Sequence, residues 1–259
     1  MVVALAMALA SILTVAPRVA AVQNRPTWSS GDFWVYSRTQ GGATSTIRMD
    51  VHEQTTLTLA LGTYTVWHVT QTTTSSTGAA SVLHVWIQDS NIGIAKTNQT
   101  LPFFGDVQVT FDPPLAQAVF PLTVGAQWSL SSTLRVVTVN FSLAVPYSAT
   151  VVAEQSTTVP AGSFSVAVIR SPPTGNSRTE NHYSEGAGNS VHQDSYDGNG
   201  NRVAQQNLTA YRYQAGTLGL ILLIVGAIVI AAIAVALFVV LRRRRSRMPP
   251  PGMAPPPPP

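Results

Sequence analysis

The chain of 259 residues is 45% hydrophobic and only 10% charged, and it contains no cysteine, which excludes a disulfide framework, a thiolate metal site, a cysteine nucleophile and a lipid-modified cysteine. Its formal net charge of +4 and pI near 9.8 do not mark a nucleic-acid binder, because the basic surplus sits at the two ends. Five arginines follow Leu241 and Arg18 lies near the start, so residues 22–217 carry nine bases against eleven acids.

The N-terminus opens with an apolar stretch from Val2 to Ala16, followed by small residues that suit signal-peptidase cleavage after Ala21. Residues 1–21 are therefore expected to be a signal peptide. No Lys or Arg precedes the stretch, so an uncleaved signal anchor is the alternative, and either arrangement carries the following segment across the membrane.

From residue 32 to 213 the dominant pattern is alternation with period two, which predicts antiparallel strands with one wet face. Ile47, Met49 and Val51 alternate with Arg48, Asp50 and His52, and Val107, Val109 and Phe111 alternate with Gln108 and Thr110. Val137, Val139, Phe141 and Leu143 do the same around Thr138, Asn140 and Ser142, which predicts a buried apolar face and an outward Asn140.

The strand pattern occurs twice. Gly31 to Tyr36 resembles Leu122 to Leu130, and Leu61 to Val69 resembles Ala161 to Ile169. His84-Val85-Trp86 followed by Gly93 has a counterpart in His182-Tyr183 followed by Gly186 and Gly188. The fold class expected is mainly β: two tandem antiparallel β units, open half-barrels or sandwich-like, over residues 22–112 and 113–215. They are divided near Asp112-Pro113-Pro114, and a C-terminal transmembrane α-helix follows. Gly62 and Gly162 each precede an aromatic-led strand, where a tight turn favours φ > 0.

Asp197, Asn199 and Asn201 alternate as calcium ligands do. Arg202 and Leu208 occupy the positions where an EF-hand loop needs Gly and an acid, so a hairpin turn is expected instead. Leu218 to Leu241 is an unbroken apolar run of about 36 Å as a helix, enough to span a hydrocarbon core of about 30 Å. The basic block Arg242 to Arg247 acts as a stop-transfer signal, contacts anionic lipid headgroups and places the C-terminus in the cytoplasm. Domain limits of 216–241 for the span and 242–259 for an Arg- and Pro-rich tail follow. The tail is expected to be an extended polyproline II spacer.

The order V-G-x-x-W, then V-P-A-G-x-F, then a Tyr or Trp strand with a nearby Gly resembles a group of secreted bacterial and archaeal β domains of unknown function. It is carried by Val124 to Leu130, by Val159 to Phe164 and by Tyr183 to Val191. Such domains are similar to the LolA-like lipoprotein-carrier fold. The resemblance implies an antiparallel half-barrel whose concave face can hold acyl chains.

No nucleophile elbow, zinc-protease motif, phosphate loop or dinucleotide fingerprint is present, so no enzyme activity, catalytic residue, cofactor or metal is assigned. The expected role is a non-catalytic, cell-surface binding or adhesion module of unknown ligand. The alternative is a membrane-anchored carrier or sensor whose apolar ligand face is formed by Tyr64, Val66, His68, Phe164, Val166 and Val168. A carrier would leave these residues lining a hollow, and an adhesion module would pack them. Among the tryptophans, Trp67 lies on the opposite strand face and best suits a second surface. Asn98, Asn140 and Asn207 fit the N-glycosylation sequon.

Overall fold

The computed structural model describes residues 22–102, 105–172 and 174–214. The expected signal peptide, the membrane span and the tail lie outside the described residues. Among the described residues, no helix is long and apolar enough to cross a membrane.

Among the described residues, twelve strands follow in order. They are β1 (Phe33–Gln40), β2 (Ala43–Thr58), β3 (Thr63–Ser75), β4 (Ala80–Gln88), β5 (Gly93–Leu101) and β6 (Gly105–Leu115), then β7 (Gln127–Val136), β8 (Phe141–Val159), β9 (Gly162–Ser171), β10 (Arg178–Ser184), β11 (Asn189–Tyr196) and β12 (Arg202–Arg212). Each strand pairs antiparallel with its sequence neighbours, and β1 pairs β12, so the sheet closes into a barrel.

This corrects the expectation of two tandem units. The proposed division at Asp112 to Pro114 falls inside β6, whose residues Val109 to Asp112 pair with Thr133 to Val136 of β7. The physical reason is edge satisfaction. A free six-stranded half would expose two rows of unpaired backbone groups, and joining β6 to β7 and β12 to β1 removes all four edges.

The two segments that resemble each other occupy corresponding places in the strand order. Gly31 N–H donates to Val51 O at 2.9 Å and Gly125 N–H to Val151 O at 2.8 Å, while Val51 and Val151 donate back to Asp32 O and Ala126 O. Both valines sit beside a bulge, at Val51/Gln54 in the β2–β3 pair and at Val151/Ala153 in the β8–β9 pair. A bulge bends a hairpin and strengthens its twist. The β2–β3 tip meets β6 through Leu61 N–H to Asp112 Oδ2 (2.8 Å), and the β8–β9 tip meets β12 through Ala161 N–H to Leu208 O (3.1 Å). Gly162 at the second tip has φ of 138°, whereas Gly62 is outside the positive-φ range, so only one of the two tips needs glycine's freedom.

Two buried clusters hold the barrel. The larger includes Trp28, Trp34, Tyr36, Val51 and Val69, and the smaller includes Leu122, Val151, Ala167 and Tyr183. Trp34 and Trp28 donate their indole N–H groups to Ala187 O and Gly188 O, both at 2.7 Å, which fastens the N-terminal segment to the β10–β11 turn. Asp197 accepts from the backbone N–H groups of Asn199 and Asn201, so residues 197–201 form the expected hairpin turn between β11 and β12.

One apolar stripe is not buried as alternation predicted. Val137 to Val139 form a short 3-10 turn, and Val139, Phe141 and Leu143 are 70%, 51% and 54% exposed. Alternation marks a face, but burial requires a second layer over it, and among the described residues the hairpin end has none.

Candidate functional site

The strand register brings together residues that are far apart in sequence. Arg38 of β1 lies opposite Gln206 of β12, Gln206 opposite Gln193 of β11, Gln193 opposite Asn181 of β10, and Asn181 opposite Ile169 of β9. Directly opposed residues share a sheet face, so these five form one continuous cross-strand row. All five line a half-open cavity of about 300 Å³.

The other wall of the cavity is mainly apolar, with Gln71 of β3 opposite Met49 the polar exception. Ile47 and Met49 come from β2, Ile87 from β4 and Ile94 from β5, and Trp28 and Tyr183 contribute aromatic surface. Arg38 is the one charged residue of the lining, and its hydrogen bond runs to a neutral acceptor, Gln40 Oε1, at 2.6 Å. Among the described residues no carboxylate forms an ion pair with Arg38, and the side chains of Gln71, Asn181, Gln193 and Gln206 make no hydrogen bond to protein. Asn189 also lines the cavity. Its Oδ1 accepts from Ser190 N–H, and its Nδ2 is buried without a partner. The arrangement offers an aliphatic bed, a row of free amides and a guanidinium, which is a set for holding and orienting a small ligand.

The residues expected to form an apolar ligand face lie elsewhere. Ile169 and Gln71 line the cavity, so Val168 and Val166, and likewise His68, Val66 and Tyr64, belong to the face turned away from it. Val66, Val166 and Val168 are buried, and Phe164 packs edge-on to Tyr211 with ring centroids 5.7 Å apart. Tyr64 is half-buried, with its hydroxyl donating to Asp112 Oδ1 at 3.4 Å. Trp67, expected on a second surface, instead packs against the larger buried cluster and donates to Asp89 Oδ1 at 2.9 Å. It shares the face of Val69, which is fully buried.

Two histidine groups form on strands that sequence separates. His68 Nε2 lies 3.0 Å from His84 Nδ1, the His52 and His68 rings are 5.1 Å apart, and Trp86 is held between His68 and the Lys96 ammonium. Burial, reinforced by the neighbouring His52 and His84, pushes the His68 pKa down. The second group is more enclosed. His182 Nδ1 is 2.9 Å from Thr157 Oγ1, its ring meets His192 edge-on, and His192 bridges Asn207 Oδ1 (2.7 Å) and Asp194 Oδ2 (3.1 Å). His182 and Asp194 are each 9% exposed, and burial with the adjacent His192 lowers the His182 pKa to about 4. Neither group lines the cavity, and among the described residues no His, Asp and Glu cluster has metal-holding geometry.

Of the three sequons, Asn140 is exposed at a turn with φ of 50°, accepting from Arg135 at 3.1 Å. Asn98 and Asn207 are mid-strand and half-buried, and Asn207 is engaged by His192.

No family model and no curated protein matches this chain. Two solved structures are similar to it: a candidate lipoprotein from Parabacteroides distasonis, with 15% identity and a TM-score of 0.42, and a candidate exported protein with YmcC-like fold from Bacteroides fragilis, with 12% identity and a TM-score of 0.45. Each alignment covers 74% of this chain and the whole of the other.

Proposed function

We propose that this protein is a non-catalytic binding module of the cell envelope, held on the outer side of the membrane by Leu218 to Leu241 and taking a small ligand into the barrel cavity. The observation that carries the reading is the cavity itself: a half-open space of about 300 Å³ with a mainly apolar wall facing an amide row. Its size is at the lower end of the range of small-molecule sites, about 300–1,000 Å³. Aliphatic, amide and guanidinium groups recognise a ligand without transforming it, which supports a carrier or sensor role over a hydrolase. The anchor rests on the apolar run and the basic block Arg242 to Arg247.

Native mass spectrometry of the full chain in lipid nanodiscs tests the cavity. The wild type is expected to carry a stoichiometric small-molecule adduct that is lost from Ile94→Trp, which fills the cavity; an adduct retained by that variant refutes the site. Topology is testable because the chain has no cysteine. A membrane-impermeant maleimide added to intact cells should label Asn201→Cys and leave Ser246→Cys unlabelled, and the reverse pattern removes the proposed orientation. In a glycosylating host, Asn140 is the sequon expected to take a glycan.

A surface-adhesion reading is favoured by one separate observation, the exposed stripe Val139, Phe141 and Leu143 at the β7–β8 end.

A further inference from the structure

Resting on the cavity as the binding site, we infer that its ligand is a short amphipathic carboxylate. The polarity of the cavity is largely divided by strand: the row Arg38, Gln206, Gln193 and Asn181 runs over β1, β12, β11 and β10, while Ile47, Met49, Ile87 and Ile94 face it from β2, β4 and β5, with Gln71 of β3 the polar exception. A ligand filling this space presents an apolar body to one wall and a hydrogen-bonding head to the other.

The head is an anion. Among the described residues Arg38 is the only charged one in the lining, and its hydrogen bond to Gln40 leaves most of the five guanidinium donors unused and its charge without a carboxylate partner. A guanidinium fork matches two oxygens of one planar group, which a carboxylate supplies. A phosphate dianion would meet a single positive charge and leave half its own charge unpaired, so the charge count favours a monoanion. The amides of Gln206 and Gln193 are next in the row to donate to the same oxygens, and the buried, unpartnered Nδ2 of Asn189 is a further donor in the lining.

Size limits the body. At about 300 Å³ the half-open cavity is at the small end of ligand sites and suits a body on the scale of an eight-carbon carboxylate.

Isothermal titration of the full chain in phosphatidylcholine nanodiscs, with empty-nanodisc heats subtracted, tests this with octanoate, octanamide and octyl phosphate. Octanoate is expected to bind with octanamide weaker by about tenfold or more, and octyl phosphate is expected to gain nothing over octanoate. Arg38→Gln should remove the preference for octanoate over octanamide while leaving the thermal midpoint close to wild type, since Arg38 is partly exposed. Equal binding of octanoate and octanamide, unchanged octanoate binding in Arg38→Gln, tighter binding of octyl phosphate, or no binding of any probe each overturns the carboxylate assignment. The cavity reading is judged separately: an adduct in the wild type that Ile94→Trp abolishes keeps the site and rejects only this ligand class.

Discussion

Acid should loosen the barrel through His182, and the size of the effect follows from its surroundings. The imidazole is 9% exposed, it faces His192 edge-on, and burial with that neighbour lowers its pKa from the ordinary 6.5 to about 4, against the opposing pull of Asp194 and Glu180. Between those values the unfolded chain binds the proton and the folded chain does not, so stability rises with pH. The contribution is complete above the unfolded pKa of 6.5 and is lost as pH falls toward 4. One pKa unit is about 1.4 kcal/mol, so the full loss is about 3 kcal/mol, of which about 2 is gone by about pH 5. Urea unfolding of residues 22–214, followed by tryptophan fluorescence between about pH 7 and about pH 5, gives the wild-type slope. His182→Gln is neutral throughout and can still reach Thr157, so whatever stability it loses at neutral pH, its curve should be flatter by about 2 kcal/mol over that interval. Equal slopes in the two proteins would refute the reasoning, because every other titrating group is common to both. Glu180 does not mimic the effect: burial raises its pKa, but Arg178 and Arg170 outweigh burial and hold it below the usual carboxylate value, so its own loss begins at lower pH.

Other substitutions have equally definite outcomes. Gly188→Ala should cost about 2–4 kcal/mol in urea unfolding, because Gly188 has φ of 66° and a Cβ there would enter the Tyr213 ring. Trp34→Phe should cost about 1–3 kcal/mol, since it leaves Ala187 O without its buried donor. Phe141→Ser, at an exposed position, should shift stability by no more than about 0.5 kcal/mol, and a larger drop would mean that the β7–β8 end is covered.

Local geometry was legible in the sequence and long-range geometry was not. Period two identifies Ile47, Met49 and Val51 as one face of β2, and all three lie against the core. The same rule cannot say which face of β9 meets the cavity, because both are apolar: Val166 and Val168 lie on one side, Ala167 and Ile169 on the other, and all four are buried. A strand buried on both sides has no sequence contrast from which to choose. Closure was equally hidden. The β1–β12 pairing joins residues about 170 positions apart, and its information is in backbone hydrogen bonds that every residue but proline can make. The one sequence hint of the cavity is in β1, where the inward series Trp34, Tyr36, Arg38 puts a charge at the end of an aromatic stripe.

The amide row carries a further consequence. A half-buried glutamine without a protein partner adds little to packing, whereas a β-branched aliphatic at the same strand position stabilises through burial. Gln193 and Gln206, half-buried and with no hydrogen bond to protein, therefore contribute less to the barrel than an aliphatic residue would at those positions. Gln193→Val should raise stability by about 1 kcal/mol in urea unfolding and at the same time weaken ligand binding. If the row were only structural, the substitution would destabilise the barrel or leave binding intact. The two measurements together separate a site held at the expense of stability from an imperfectly packed core.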